Sequence, residues 1–245
     1  MSKGNLRLVA SAVLAFVGCV AAAIAAYMVV STCRASGAEA TKEFDAIVQR
    51  EAPSPSEEAR VREMLRQFPK LAARKGAMVW AARRGSHETA IVFLENGGDP
   101  NDRGDWWHET PLYWAVRHRD VPLAERLFQM GADPSVQVEV NMCPPDLFQL
   151  ACESGSLEMA KLFVKHGAKI DAVKGSVLHY AVQTGNLELV RYLLRGGADP
   201  CTLDGRGFTP RRLLDIVAKI ALVNGNRPLE AEYRRIQKEL REWER

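Results

Sequence analysis

The chain of 245 residues has almost no excess of charge of one sign. Lysine and arginine together number 33 against 30 aspartates and glutamates, which gives a formal net charge of +3. A protein that neutralises many nucleic-acid phosphates normally carries a strongly basic surface, so we exclude nucleic acid as an expected partner. At roughly 150 residues per domain, the length allows one domain with an appendage or two small domains.

Residues that build metal or catalytic sites are few and scattered. The five cysteines lack the paired spacing of a zinc site and are too few for a fold built on disulfides. The five histidines stand in no HExxH or CxxC pattern, and no glycine-rich phosphate loop is present. We therefore expect no catalytic residue, no metal ligand and no cofactor. A disulfide between Cys143 and Cys201, formed outside the cytoplasm, stays open as an alternative to free thiols.

One long apolar run lies near the N-terminus. Residues 8–30 form 23 positions without a charge, and a helix needs about 20 residues to cross the hydrocarbon core of a membrane. This run predicts a transmembrane helix that acts as a signal-anchor after a short basic N-terminus, residues 1–7. A cleaved signal peptide is the alternative, although its apolar region normally measures about 7 to 15 residues. The charge rule leaves both orientations open, and the basic N-terminus favours an outward-facing remainder.

Four later segments of the chain are self-similar. Each contains a pair of small residues whose first member is followed 16 positions later by a glycine, at Ala81 and Gly97, Ala115 and Gly131, Ala151 and Gly167, and Ala181 and Gly197. The spacing between segments varies. Helix pairs that stack on neighbours do not tolerate inserted residues, whereas surface connections do. The spacing therefore predicts rigid helix pairs joined by variable fingers, with each glycine as a left-handed cap.

These segments resemble the ankyrin repeat. The resemblance rests on Thr110-Pro111-Leu112, on the related residues 176–181, and on Gly-Ala-Asp at 131–133 and 197–199. It implies an all-α ankyrin-repeat solenoid, made of helix pairs with β-hairpin fingers and preceded by the transmembrane helix. The expected divisions are a polar linker at 31–54 and an ankyrin-repeat domain at 55–245, which comprises an N-terminal half-repeat cap at 55–76, four repeats at 77–201 and a C-terminal capping repeat at 202–245.

The resemblance also assigns roles to single residues. His179 stands at the histidine of the family's TPLH pattern, which implies that it ties a helix end to the neighbouring loop. Cys152 occupies a small position of the core, where it is most simply a buried apolar residue. Trp80 and Trp114 each precede a small pair, a position that is usually apolar in the family, so we expect both to pack in the core.

Ankyrin-repeat partners usually dock on the finger tips and on exposed positions of the first helices, after the small pair. The first two repeats are basic there, and the last two are neutral or acidic. Trp106 and Trp107 fall at a finger tip, and exposed Trp and Arg dominate interface hot spots. The alternative for Trp107 is that it folds back on Tyr113 or on a helix end and closes the finger. The predicted partner-binding residues are Arg83, Arg84, Trp106, Trp107, Glu109, Arg117 and His118.

These observations predict a binding protein, not an enzyme, that captures a folded protein partner. Small ankyrin proteins with a signal-anchor resemble bacterial envelope proteins. That resemblance implies a single-pass protein of the inner membrane, in contact with the lipid bilayer through residues 8–30 and with its ankyrin domain in the periplasm. It also implies an immunity protein that neutralises a secreted toxic enzyme such as a phospholipase. The alternative is an envelope scaffold or assembly factor that supports another enzyme, for example an antioxidant enzyme, or a membrane complex.

Overall fold

The structure is a computed structural model that describes residues 37–49, 54–104, 109–135, 146–170, 177–224 and 226–243. The chain divides into two compact units, with the boundary between Leu71 and Ala72.

The first unit contains a helix at residues 37–48, α1, and a second helix, α2, at Pro55–Gln67. A short 3-10 helix, Pro69–Ala73, spans the unit boundary. Helix α2 begins with a capping box, in which the Ser54 hydroxyl accepts from the Glu57 backbone N–H and the Glu57 carboxylate accepts from the Ser54 N–H. An ion pair between Arg60 and Glu43, at 3.0 Å, joins α2 to α1.

In its described residues, the second unit is a row of five helix pairs. The pairs are α3 Ala77–Arg83 and α4 His87–Glu95, α5 Pro111–Arg117 and α6 Val121–Gln129, α7 Leu147–Glu153 and α8 Leu157–Lys165, α9 Val177–Thr184 and α10 Leu187–Arg195, and α11 Pro210–Val223 and α12 Arg227–Trp243. The first helices pack side by side in chain order, and the second helices form a parallel layer in the same order. The four glycine-closed segments therefore lie in sequence along one array.

Small residues allow the first helices to approach closely. Ala81, Ala115, Ala151 and Ala181 are all fully buried where neighbouring pairs meet. The second helices supply the larger core side chains, among them Phe93, Leu127, Phe163 and Leu193. Because each pair has apolar residues on the sides that face its neighbours, stacking is what removes them from water.

Helix ends are set by local chemistry that the sequence predicts. Thr110 precedes Pro111 at the start of α5, and its hydroxyl accepts from the Tyr113 N–H. The predicted left-handed caps are confirmed, since the closing glycines Gly97, Gly131, Gly167 and Gly197 have φ of 88°, 89°, 95° and 97°. A Cβ at such angles is strained, so glycine is the residue that ends these helices at least cost.

The predicted β-hairpin fingers need correction, because no strand occurs in the part of the chain that the structure describes. The last finger, residues 198–209, shows the reason. The Asp204 carboxylate accepts from the N–H groups of Arg206 and Phe208, at 2.9 and 2.8 Å, and the Asp204 N–H donates to the Phe208 carbonyl at 2.9 Å. The Asp204 side chain accepts hydrogen bonds from backbone N–H groups that the strands of a β-hairpin would use, so the segment closes as a turn.

The predicted transmembrane helix and signal-anchor also need correction. The segment concerned, residues 8–30, lies outside the described residues, and no helix within the described ranges is long and apolar enough to cross a membrane. The longest of them, α12, has 17 residues with Arg and Glu along its length, whereas a spanning helix needs about 20 apolar residues. The finding contradicts this part of the predicted fold class, and with it the single-pass inner-membrane localisation.

Candidate functional site

The ends of the first helices place one exposed residue in each repeat at the same position. Arg83, Arg117, Glu153 and Gln183 each lie two residues after a buried alanine, and all four side chains are exposed. Because α3, α5, α7 and α9 pack in order, these residues form a line across the array. We call them the first-helix row. The row begins with two cations and continues with an acid and an amide.

Four residues converge on the surface where the first two repeats meet. The guanidinium carbon of Arg83 lies 5.5 Å from the centre of the Trp114 ring, and the His118 ring lies 5.7 Å from it at an interplanar angle of 25°. The Trp114 indole N–H donates to the Glu109 carboxylate at 3.0 Å. The His118 Nε2 donates to the Arg83 carbonyl oxygen, also at 3.0 Å. We call Arg83, Glu109, Trp114 and His118 the Trp114 cluster.

Trp114 belongs to this cluster, although its repeat position predicts that it packs in the core. Trp80 occupies the same position of the preceding repeat and is buried, with its ring 5.9 Å from that of Phe93, as predicted. Trp114 is only half-buried. The residue five positions earlier is Lys75 in one repeat and Glu109 in the other, and only the carboxylate accepts a hydrogen bond from an indole. That difference was the available signal that Trp114 would turn to the surface.

Arg84 and Arg117 are placed differently. Arg84 is half-buried and follows the last residue of α3. Arg117 is exposed at the end of α5 and makes no ion pair with any residue in the described ranges. Burial raises the pKa of the Tyr113 hydroxyl, and the charge of Arg117 opposes that rise.

Trp106 and Trp107 lie outside the described residues, so their predicted role at the finger tip stays a prediction. The described ends of that finger are held together by the Gly104 N–H, which donates to the Glu109 carbonyl at 3.0 Å. The structure therefore brings together three of the seven predicted residues, Arg83, Glu109 and His118, around Trp114. Cys143, the other half of the suggested disulfide, is also outside the described ranges, while Cys201 is free and exposed.

Two residues with predicted structural roles have them. The His179 Nε2 donates to the Phe208 carbonyl at 2.7 Å, which ties α9 to the following finger. Cys152 is fully buried, and burial raises the pKa of its thiol to about 12. A neutral, enclosed thiol is unreactive. Among the described residues no group of His, Cys, Asp and Glu side chains is arranged to hold a metal ion.

Stacked helix pairs with a line of exposed residues on their first helices define a helical-repeat binding scaffold. The chain belongs to the ankyrin repeat family: the family model "Ankyrin repeats (3 copies)" matches residues 58–138 and 139–204, more than half of the chain. Ankyrin repeats generally mediate binding between proteins and are typically not enzymatic. The family thus indicates a protein partner.

Several known proteins are similar to this chain over part of their length. The transient receptor potential channel pyrexia of Drosophila melanogaster is 33% identical over 132 residues, which cover 51% of this chain and 13% of the channel. An L-asparaginase of Dirofilaria immitis is 32% identical over 144 residues, 56% of this chain and 23% of the enzyme. Human Rabankyrin-5 is 41% identical over 59 residues, 24% of this chain and 5% of that protein.

The chain therefore spans less than a quarter of each of these three relatives. The similarity to the asparaginase is confined to its repeat region. The three relatives are animal proteins, so the predicted bacterial, membrane-anchored type is not what these matches show.

Proposed function

We propose that this array binds a folded protein partner through the first-helix row and the Trp114 cluster, and that it sequesters that partner. The observation that carries the proposal is the half-buried Trp114, which is held at the surface by Arg83, Glu109 and His118. Tryptophan and arginine are the side chains most enriched at the energetic centres of protein interfaces.

The Trp114 cluster is ordered before any partner arrives. The indole is fixed by its hydrogen bond to Glu109, and the His118 ring is fixed by its hydrogen bond to the Arg83 carbonyl. Immobilising a flexible side chain on binding costs about 0.5 to 1.5 kcal/mol. A partner that docks on this cluster avoids much of that cost, which favours it as an anchoring point.

Charge supports the same location. The side chains of Arg83 and Arg117 form no ion pair with any described residue, and both lie at the start of the first-helix row. Complementary charge mainly speeds association and selects among partners. The proposed partner therefore presents an acidic patch to this end of the array.

A secreted toxic enzyme such as a phospholipase is the partner that we favour, so that the chain would act as an immunity protein. Capture of such an enzyme requires no chemistry from the array, because covering the active site is sufficient. A partner that keeps or gains activity in the complex would instead indicate the scaffold role.

A pull-down with the full chain tests the proposal. We expect one stoichiometric protein partner to bind the unmodified chain and to be lost with Trp114→Ala or Arg117→Glu. Arg195→Glu is the matched control, because Arg195 is also an exposed last residue of a helix but lies on α10 in the other layer. Circular dichroism checks that each variant is folded. Equal recovery of the partner by Trp114→Ala and Arg117→Glu, with both variants folded, would overturn the proposal.

A further inference from the structure

Helix α11 departs from the other first helices in its length and in what it exposes. It has 14 residues, whereas α3, α5, α7 and α9 have 7 or 8. Its start is equivalent to that of α5, because Thr209 precedes Pro210 and caps the helix as Thr110 does before Pro111. Ile216 therefore takes the place that Arg117 occupies in α5 and extends the first-helix row by one position.

Three apolar side chains of α11 lie along one side of the helix. Ile216, Ile220 and Val223 follow each other at steps of four and three residues, and such residues share a helix face. They are 38%, 53% and 85% exposed. Leu214 and Ala221 are buried and lie on another side of α11. We call Ile216, Ile220 and Val223 the α11 stripe.

Isolated exposed apolar residues are ordinary, but three of them that align on one side of a helix, the first of them in line with a row of binding positions, are not. The extended row reads Arg83, Arg117, Glu153, Gln183 and Ile216 in the order of the array. Neighbouring packed helices lie about 8 to 10 Å apart. Arg117 and Ile216 are three helices apart, so their separation is about 30 Å by that spacing.

We infer that the partner lays one continuous segment across the array, with acidic residues at the end that meets Arg83 and Arg117 and apolar residues at the end that meets the α11 stripe. The inference rests on the proposed function and specifies the chemistry of the partner. A segment of about 20 residues in helical form is roughly 30 Å long, which matches the separation of Arg117 and Ile216.

The residue in the middle of the first-helix row restricts the acidic residues of the partner to one end of the segment. Glu153 is exposed between the two ends, and a partner carboxylate placed beside it would be repelled. A second copy of this chain fits less well, because the stripe offers only three side chains, whereas a stable interface buries about 800 Å² on each partner. The partner segment is therefore a different chain, acidic at one end and apolar at the other.

Selection from a displayed library of random 20-residue peptides on the full, folded chain tests this inference. We expect the enriched peptides to separate Asp and Glu at one end from Leu, Ile, Phe or Val at the other. Synthetic copies of them should bind Arg117→Glu and Ile220→Asp about tenfold or more weakly than the unmodified chain. Leu222→Asp is the matched control: Leu222 is 55% exposed but lines the groove between α11 and α12, so this change should leave affinity unaltered.

The outcomes separate the inference from the proposed function. One outcome would overturn the inference and leave the proposed function standing. In it, the enriched peptides bind Arg117→Glu more weakly than the unmodified chain, but they have no apolar end and bind Ile220→Asp as tightly as the unmodified chain. If no peptide is enriched, or if the enriched peptides bind Arg117→Glu and Ile220→Asp as tightly as the unmodified chain, the inference fails, and the pull-down decides the proposed function separately. Loss of affinity with Leu222→Asp to the same degree as with Ile220→Asp would also overturn the inference.

Discussion

His118 Nε2 lies 3.0 Å from the carbonyl oxygen of Arg83, so a side chain at the end of α5 takes up a backbone acceptor at the end of α3. The contact joins two successive repeats at the place where the Trp114 cluster lies. A structural bond between repeats and a candidate binding surface thus share the same residues.

Replacing His118 tests this double role. We expect His118→Ala to lower the free energy of unfolding by about 1 kcal/mol, since it removes one hydrogen bond at the surface, and to weaken partner binding because the His118 ring no longer lies beside Trp114. Urea unfolding and a titration with the captured partner measure the two effects. His118→Gln keeps an amide donor and should recover part of the stability without the aromatic contact. A variant as stable as the unmodified chain would show that the bond contributes nothing.

Asp102 provides a second prediction. Its buried carboxylate accepts from the backbone N–H groups of Gly76 and Met78, at 2.8 and 3.0 Å, and so caps α3, whose own N-cap residue Gly76 has no side chain. Asp102→Ala leaves these donors unpaired and should lower the free energy of unfolding by about 2 to 3 kcal/mol. Thermal and urea unfolding measure the loss.

Asp102→Asn is the control for that change, because it keeps one acceptor oxygen in a side chain of nearly the same shape. Asp102→Asn should lower the free energy of unfolding by less than Asp102→Ala does. A loss below about 0.5 kcal/mol for Asp102→Ala would mean that the turn before α3 finds other acceptors.

The repeats are the part of the fold that the sequence predicts well. The spacing between the first small residue and the closing glycine of a repeat is constant because both residues belong to one helix pair. An inserted residue there would rotate the buried face of a helix. The left-handed glycines and the bond from His179 to the next finger follow from the same local pattern. Local periodicity is therefore enough to find the modules and their order.

The sequence pattern does not reveal which distant groups a polar side chain binds across the array. Asp102 caps a helix that begins about 25 residues earlier in the chain, and nothing in the local sequence marks that contact. The hairpin predicted for the last finger is wrong because the Asp204 carboxylate accepts from N–H groups within that finger. Trp80 and Trp114 share a repeat position but differ in exposure because Glu109 accepts from one indole. Each case depends on one polar side chain and its partner in space.

Cys152 predicts a dependence of stability on pH. Burial raises the pKa of its thiol to about 12 in the folded chain, whereas an exposed thiol has a pKa of about 8.5. The stability that this buried, protonated thiol contributes is fully present below the pKa of the thiol in the unfolded chain, because the thiol is then protonated in both states. Above it the unfolded state loses its proton first, so stability declines until the pH passes the folded value.

Urea unfolding at several pH values compares the unmodified chain with Cys152→Ala. Between about pH 9 and pH 10 the free energy of unfolding should fall by about 1 kcal/mol more in the unmodified chain than in the variant. Tyrosines, lysines and the remaining cysteines are common to both chains, so their titration cancels in the difference. Parallel pH profiles would show that the Cys152 thiol is not shielded from water in the folded state.

Charge reversal in the first-helix row predicts a change in association rate that depends on salt. Arg117 is exposed and has no ion-pair partner among the described residues, so its field reaches an approaching acidic surface. Arg117→Glu should slow association with the captured partner by about tenfold or more at low salt, with the difference shrinking as salt rises and the Debye length falls to about 8 Å. Stopped-flow mixing across a range of salt concentrations measures this. Arg195→Glu makes the same change of net charge on the other helix layer, so it should alter the rate far less. Equal slowing by the two variants would mean that only the total charge of the chain matters and that the row has no steering role.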